Sequence, residues 1–218
     1  MAEKGLQEHF PARIDEGQGK ALPQDRAEKG GAEYLHIDVM DGLFVPNISI
    51  GSCVQKSIRN QSKMVFDTHL MIVDPIRYID DFYKAGSDII TIHYEACENV
   101  EETLEKIRSL GIKAGLSIKP KTPVSDIKHL EGKFDMLLIM SVEPGFGGQS
   151  FIPESLKKIK EARELFPTLD IEVDGGINEN NINAVVKSGA NILVAGSAVF
   201  GKEDIPSAIA TLRKNAEA

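Results

Sequence analysis

Seven short apolar runs recur along the chain from residue 34 onward: Tyr34–Met40 (YLHIDVM), Val65–Met71 (VFDTHLM), Ile89–Ala96 (IITIHYEA), Lys113–Pro120 (KAGLSIKP), Met136–Val142 (MLLIMSV), Asp170–Gly176 (DIEVDGG) and Ile192–Ala198 (ILVAGSA). They are rich in β-branched residues and nearly continuous in apolar character. That pattern predicts strands buried on both faces of a parallel sheet. Amphipathic segments lie between them. In Glu98–Leu110 the apolar positions Val100, Leu104, Ile107 and Leu110 follow helical spacing, and Gly111 supplies a stop. Pro153–Phe166 repeats the pattern with Leu156, Ile159, Ala162 and Leu165, as does Glu179–Gly189 with Ile182, Val185 and Val186.

One junction occurs three times, as KGGAEYLHID, KAGSDIITIH and KSGANILVAG. Each reads as a helix ending in Lys, a glycine able to take a left-handed cap, a polar turn and a buried strand. Strand centres fall roughly 21 to 34 residues apart, room for one strand, one helix and two loops. A doubly wound sheet also fits such alternation. Regular units without a domain-splitting linker favour a single (β/α)8 TIM barrel over residues 1–218. The first 29 residues break the scheme. They carry two prolines and many charges but no apolar strand run, so the first βα unit is expected to be atypical or missing. Ile14 and Leu22 offer little apolar material for a strand there.

The polar residues that interrupt the apolar runs stand near strand ends. His36 and Asp38 are two apart, which turns both side chains to one face of the first legible strand. His69 lies near the end of the next strand, and Asp174 ends Asp170–Gly176. Polar residues at the C-terminal ends of barrel strands face the active site. Together His36, Asp38, His69 and Asp174 make a mixed nitrogen and oxygen set suited to one divalent ion, Zn2+, Mn2+, Fe2+ or Co2+. The blander reading makes each His a satisfied core residue and each Asp a cap. A buried Asp in LHIDVMDG would then lack the charged partner it needs. His93 is a weaker candidate for the same mouth, and His9 and His129 belong to no motif.

Glycine-rich turns form a second set. EPGFGGQ follows the fifth legible strand, DGGI the sixth and GSA the seventh. On the last two strands of a barrel such turns receive a phosphate through backbone N–H groups and the start of a short helix. Met40, Met71 and Met140, also near strand ends, read either as core filling or as an apolar lining around a reactive intermediate.

Composition narrows the classes. Net charge is -8, which disfavours a nucleic acid partner and leaves phosphorylated metabolites open. Cys53 and Cys97 form no metal or redox motif and read as free thiols of a reducing compartment. There is no GxGxxG fingerprint, no secretory h-region and no apolar run near the ~18 residues that span a bilayer, so a cytoplasmic location is expected.

HIDVMDGLFVPNISIG, with THLMI, HYEA, GLSIKP, SVEPGFGGQSF, EVDGGI and AGSAVF, closely resembles the ribulose-phosphate 3-epimerase family from about Gly30 to the C-terminus. The resemblance implies metal-dependent interconversion of D-ribulose 5-phosphate and D-xylulose 5-phosphate in the pentose phosphate pathway. It implies that His36, Asp38, His69 and Asp174 hold the metal, and that Asp38 and Asp174 are the acid/base pair. Gly145, Phe146, Gly147 and Gly148 match a loop that closes over substrate. Gly175, Gly176, Gly196 and Ser197 match phosphate-holding positions, and His69 also counts among the substrate-binding residues. Barrels of this kind often associate, so a homo-oligomer is among the partners to consider. A related phosphosugar 3-epimerase, such as one acting on allulose 6-phosphate, shares this machinery.

The family's first strand resembles P-S-I-L-S-A-D, with a substrate-binding Ser. Here the stretch reads HFPARIDEGQGKALPQ, so no residue is matched to that Ser. A frameshifted reading, a misannotated start or a divergent segment that still completes the barrel would each account for it. A barrel lacking that strand would leave two unpaired edges, which predicts reduced stability or low solubility and a catalytically impaired chain.

Overall fold

The computed structural model describes Leu6–His9 as backbone, together with residues 23–218. Its eight described strands close into a parallel barrel in chain order. They are β1 Leu6–His9, β2 Tyr34–Met40, β3 Val65–Met71, β4 Ile89–His93, β5 Lys113–Ile118, β6 Met136–Met140, β7 Asp170–Asp174 and β8 Ile192–Val194. The outer helices are α1 Pro23–Lys29, α2 Ser52–Arg59, α3 Ile79–Lys84, α4 Val100–Ser109, α5 Ser155–Leu165, α6 Ile182–Lys187, α7 Gly196–Phe200 and α8 Ile205–Ala216. A 3-10 segment, Val124–Leu130, replaces an α-helix between β5 and β6.

The seven strands predicted from residue 34 onward all begin at the predicted residue, and five end two to four residues sooner than predicted. The overshoot falls on the C-terminal ends, such as Val142 and Gly176, where the chain leaves the ladder to build loops at the mouth. The three junction glycines, Gly31, Gly86 and Gly189, have φ of 93°, 94° and 119°, the left-handed conformation a helix-ending glycine supplies without a Cβ clash.

Of the two N-terminal expectations, atypical or missing, the structure bears out the first. The first unit is atypical rather than missing. Gln7, Glu8 and His9 pair with Tyr34, Leu35 and His36, while Leu6 and Gln7 pair with Leu193 and Val194. Strand pairing is a backbone interaction, so a segment reading LQEH can close the seam between β2 and β8 without an apolar pattern. Closure removes the two open edges that seven strands would leave. Ile14 and Leu22, and the side chain of His9, lie outside the described residues. His129 is exposed.

Alternation along each strand separates two interiors. Leu35, Ile37, Val39, Phe66, Leu70, Ile90, Ile92, Leu137, Ile139, Ile171 and Val173 face outward into the layer shared with the helices. The intervening residues fill the barrel. Ile89, Met136 and Ile192, with Tyr34 and Val65, plug its N-terminal end. Above that plug the interior turns polar. Register sets His36 beside Asp67, Asp38 beside His69, and Met40 beside Met71. On the far side it sets Met140 beside Asp174.

Candidate active site

The four residues singled out from the strand ends converge. One ligand atom from each of His36, Asp38, His69 and Asp174 lies within 4.8 Å of the other three, and all four residues are buried. His36 Nε2 is 3.3 Å from both Asp38 Oδ1 and His69 Nδ1, and His69 Nδ1 is 3.0 Å from the same Asp38 oxygen. Burial alone would strip a proton from His36, but Asp67, Glu172 and Asp38 hold its pKa well above the usual imidazole value. Two nitrogen and two oxygen donors in a dry pocket fit a divalent transition ion.

The backbone around the cluster is pinned by side chains that the sequence did not single out. Ser49 Oγ donates to Asp38 O at 2.7 Å and accepts from Met40 N at 2.9 Å, which fixes the end of β2. Ser141 Oγ sits 2.8 Å from Asp174 O and 2.7 Å from Gly175 O, which fixes the end of β7. Asp41 accepts from the backbone N–H groups of Leu43, Phe44 and Val73 and so shapes the loop after β2.

Beneath the four lies a second polar layer. His36 Nδ1 donates to Asp67 Oδ2 at 2.6 Å, and Thr91 Oγ1 donates to the other Asp67 oxygen at 2.9 Å. Glu172 Oε1 is 3.5 Å from His36 Nδ1. Burial, then Asp67, pushes the Glu172 carboxyl well above the ordinary carboxylate range. His36, Asp67 and Glu172 also converge to within 4.8 Å. The short Nδ1–Asp67 bond gives that second group a proton to share, and it turns His36 Nε2 toward the upper cluster. To one side, His69 Nε2 meets His93 Nε2 at 2.9 Å, and His93 Nδ1 lies 3.3 Å from Glu95 Oε2. Burial lowers the His93 pKa to about 4, against the opposing pull of Glu95. His93 therefore enters the network through His69.

Above the cluster is a cavity of about 430 Å³. Asp38 and Asp174 line it, whereas His36 and His69 are fully buried below and are not among the lining residues. Gly145, Phe146, Gly147 and Gly148, after β6, and Gly175, Gly176, Gly196 and Ser197, after the neighbouring strands β7 and β8, also line it. Met40, Met71 and Met140 are buried and also line the cavity, so core filling and lining are one role here. The loop after β6 leans on the loop after β2: Asn47 Nδ2 donates to Gly145 O at 2.9 Å, and Phe146 is 55% exposed above the opening.

At Gly176 two constraints coincide. Its φ is 66°, and a Cβ there would overlap the backbone of Phe151. Gly176→Ala is expected to cost about 2–3 kcal/mol, a fall of several degrees in thermal midpoint. A thermal melt reads this directly, and an unchanged midpoint would mean that the β7 turn relaxes freely.

Residues 20–200 match the family described as Ribulose-phosphate 3 epimerase family. The chain is 48% identical to the ribulose-phosphate 3-epimerase of Bacillus subtilis over 191 residues, covering 85% of this chain and 88% of that protein. It is 49% identical to the Synechocystis protein of the same name over 194 residues, covering 86% and 84%. To the cytoplasmic isoform from Oryza sativa it is 42% identical over 201 residues, covering 90% and 88%. Among solved structures, KGPDC from Streptococcus mutans superposes with a TM-score of 0.74 at 11% identity, covering 99% of this chain and 98% of that one. At that identity the likeness concerns the barrel alone. Among the described residues, no helix is long and apolar enough to cross a membrane.

Proposed function

The chain belongs to the ribulose-phosphate 3-epimerase family, and from that premise we infer that it inverts C3 of D-ribulose 5-phosphate to give D-xylulose 5-phosphate, and the reverse, as a step of the pentose phosphate pathway. The observation that carries the reading is the pairing of Asp38 and Asp174 at one cavity floor, above two buried imidazoles.

C3 lies next to the substrate's carbonyl, so its proton is acidic enough for a carboxylate to take. Inversion requires one group to remove that proton from one face and another to return a proton to the opposite face. Asp38, on β2, and Asp174, on β7, are separated around the ring by β1 and β8, so they approach the cavity from different walls. We assign them these two roles. His36, Asp38, His69 and Asp174 would hold one Zn2+, Mn2+, Fe2+ or Co2+ ion, which when bound supplies positive charge against the negative charge that builds on the substrate's oxygens.

Other residues bind and shield. The turns at Gly175, Gly176, Gly196 and Ser197 bring backbone to the rim with almost no side chain, suited to a phosphate held by N–H groups. The Gly145–Phe146–Gly147–Gly148 loop is placed to cover the sugar. Met40, Met71 and Met140 keep water from the intermediate on the cavity side. A coupled assay tests the reading. Ribulose 5-phosphate is expected to turn over with a higher kcat/KM than allulose 6-phosphate in metal-replete buffer. The opposite preference, or no turnover of either sugar, would overturn it.

A further inference from the structure

Glu95 is an acceptor on every side. Its Oε1 accepts from Lys119 N at 2.8 Å and from Thr122 Oγ1, and its Oε2 faces His93 Nδ1 at 3.3 Å. A carboxylate engaged this way can only accept, so the His93 proton sits on Nδ1. His93 is fully buried, and its other nitrogen, Nε2, then presents a lone pair to His69 Nε2 at 2.9 Å. His69 must therefore carry its own proton on Nε2, which leaves the Nδ1 lone pair aimed at Asp38 Oδ1 and His36 Nε2. One ring proton on His93 and one on His69 satisfy the chain from Glu95 as far as His69 Nε2; at the cluster they set the His69 Nδ1 lone pair against Asp38 Oδ1 at 3.0 Å, an approach that a cation between them would relieve.

We propose that His93 and Glu95 are positioning residues: together they fix the tautomer and ring orientation of His69, so that Nδ1 is presented as a metal ligand. The inference rests on the reading of His36, Asp38, His69 and Asp174 as a metal site. The dyad is itself held in place. Glu95 lies in the 3-10 turn Tyr94–Ala96 that follows β4 and is tied by its two donors to the loop after β5. Phe44 packs on the His93 ring with centroids 4.9 Å apart, and Lys119 Nζ lies 3.9 Å over the Phe44 ring. His36 is oriented by Asp67, on β3. His36 thus ends on the buried Asp67 carboxylate and His69, through His93, on Glu95, the arrangement that raises ligand basicity and fixes the lone pair.

The test is titration of the metal-free protein with Co2+, following its visible ligand-field spectrum and its Kd by competition with a chromophoric chelator. His93→Leu removes the acceptor for His69 Nε2–H. It is expected to weaken Co2+ binding by about tenfold to a hundredfold and to alter the spectrum. His93→Gln keeps an amide oxygen that can accept the same proton, so it is expected to recover most of the affinity. Glu95→Gln, at a side chain 22% exposed, leaves the core intact and is expected to fall between them. Should His93→Leu fail to fold, Glu95→Gln and His93→Gln still give the ranking. Equal weakening in the Gln and Leu variants of His93 would mark a packing role and overturn the proposal. Kd values within about twofold of the unmodified protein, with unchanged spectra, would do the same. If the unmodified protein takes up no Co2+, the metal reading fails first and this inference falls with it.

Discussion

Asp174→Asn is expected to lower kcat for epimerisation by at least about a thousandfold, within the range a positioned acid or base contributes, while the barrel stays folded. An amide can neither take the C3 proton nor return one. The substitution keeps the shape of the side chain, and the end of β7 does not depend on the carboxyl: Ser141 reaches the backbone oxygens of Asp174 and Gly175. Asp38→Asn is expected to show a similar loss, since Ser49 holds the β2 backbone there in the same manner. Deuterium exchange in D2O separates a lost proton transfer from general damage. With one carboxylate gone, the remaining one still meets C3 of a single epimer. Each variant is then expected to wash solvent deuterium into one pentulose phosphate and not the other, with the preference reversed between the two variants. Near-normal turnover of Asp174→Asn would remove Asp174 from its role, and exchange into both epimers by one variant would refute the two-face division of labour.

What the sequence made legible depended on whether a signal was local. Strand starts from Tyr34 to Ile192 were readable because each follows a helix-ending turn and opens an apolar run. Asp38 and Asp174 were readable because each stands near the end of such a run, where barrel topology sends it to the mouth, and His36 and His69 because each interrupts an apolar run on the face that points into the barrel. β1 was not, because LQEH closes the barrel through backbone pairing to two neighbours and carries no apolar pattern to announce it. The lower polar layer was equally hidden. Asp67 and Glu172 sit one position in from apolar neighbours in runs that read as doubly buried strands. Only the register of several strands shows that they share one interior with His36. His93 and Glu95 belong to the same class. Their meaning comes from His69 on the neighbouring strand and Thr122 on a distant loop, not from HYEA itself.

Removing divalent metal is expected to have a second effect of comparable size. Dialysis against a chelator is expected to lower kcat/KM by about a thousandfold, since electrostatic stabilisation by a bound cation contributes several kcal/mol. Adding back Zn2+, Mn2+, Fe2+ or Co2+ is expected to restore it. Ca2+ and Mg2+ are expected to restore little, because two of the four donors are imidazole nitrogens and these ions favour all-oxygen shells. The same cluster predicts a stability change that needs no substrate. Two carboxylates and two imidazoles buried in one place are costly unless a positive charge joins them. A cation binding only the folded chain, at about a hundred times its Kd, adds about 2.7 kcal/mol. For a barrel of this size that corresponds to roughly 5–10 °C in thermal midpoint. The two readouts fail differently. A chelated protein that keeps its turnover would remove the ion from catalysis, while one that keeps both turnover and midpoint would remove it from the site. His36→Gln should mimic chelation in both readouts, because it deletes one ligand and strands Asp67 without its 2.6 Å partner.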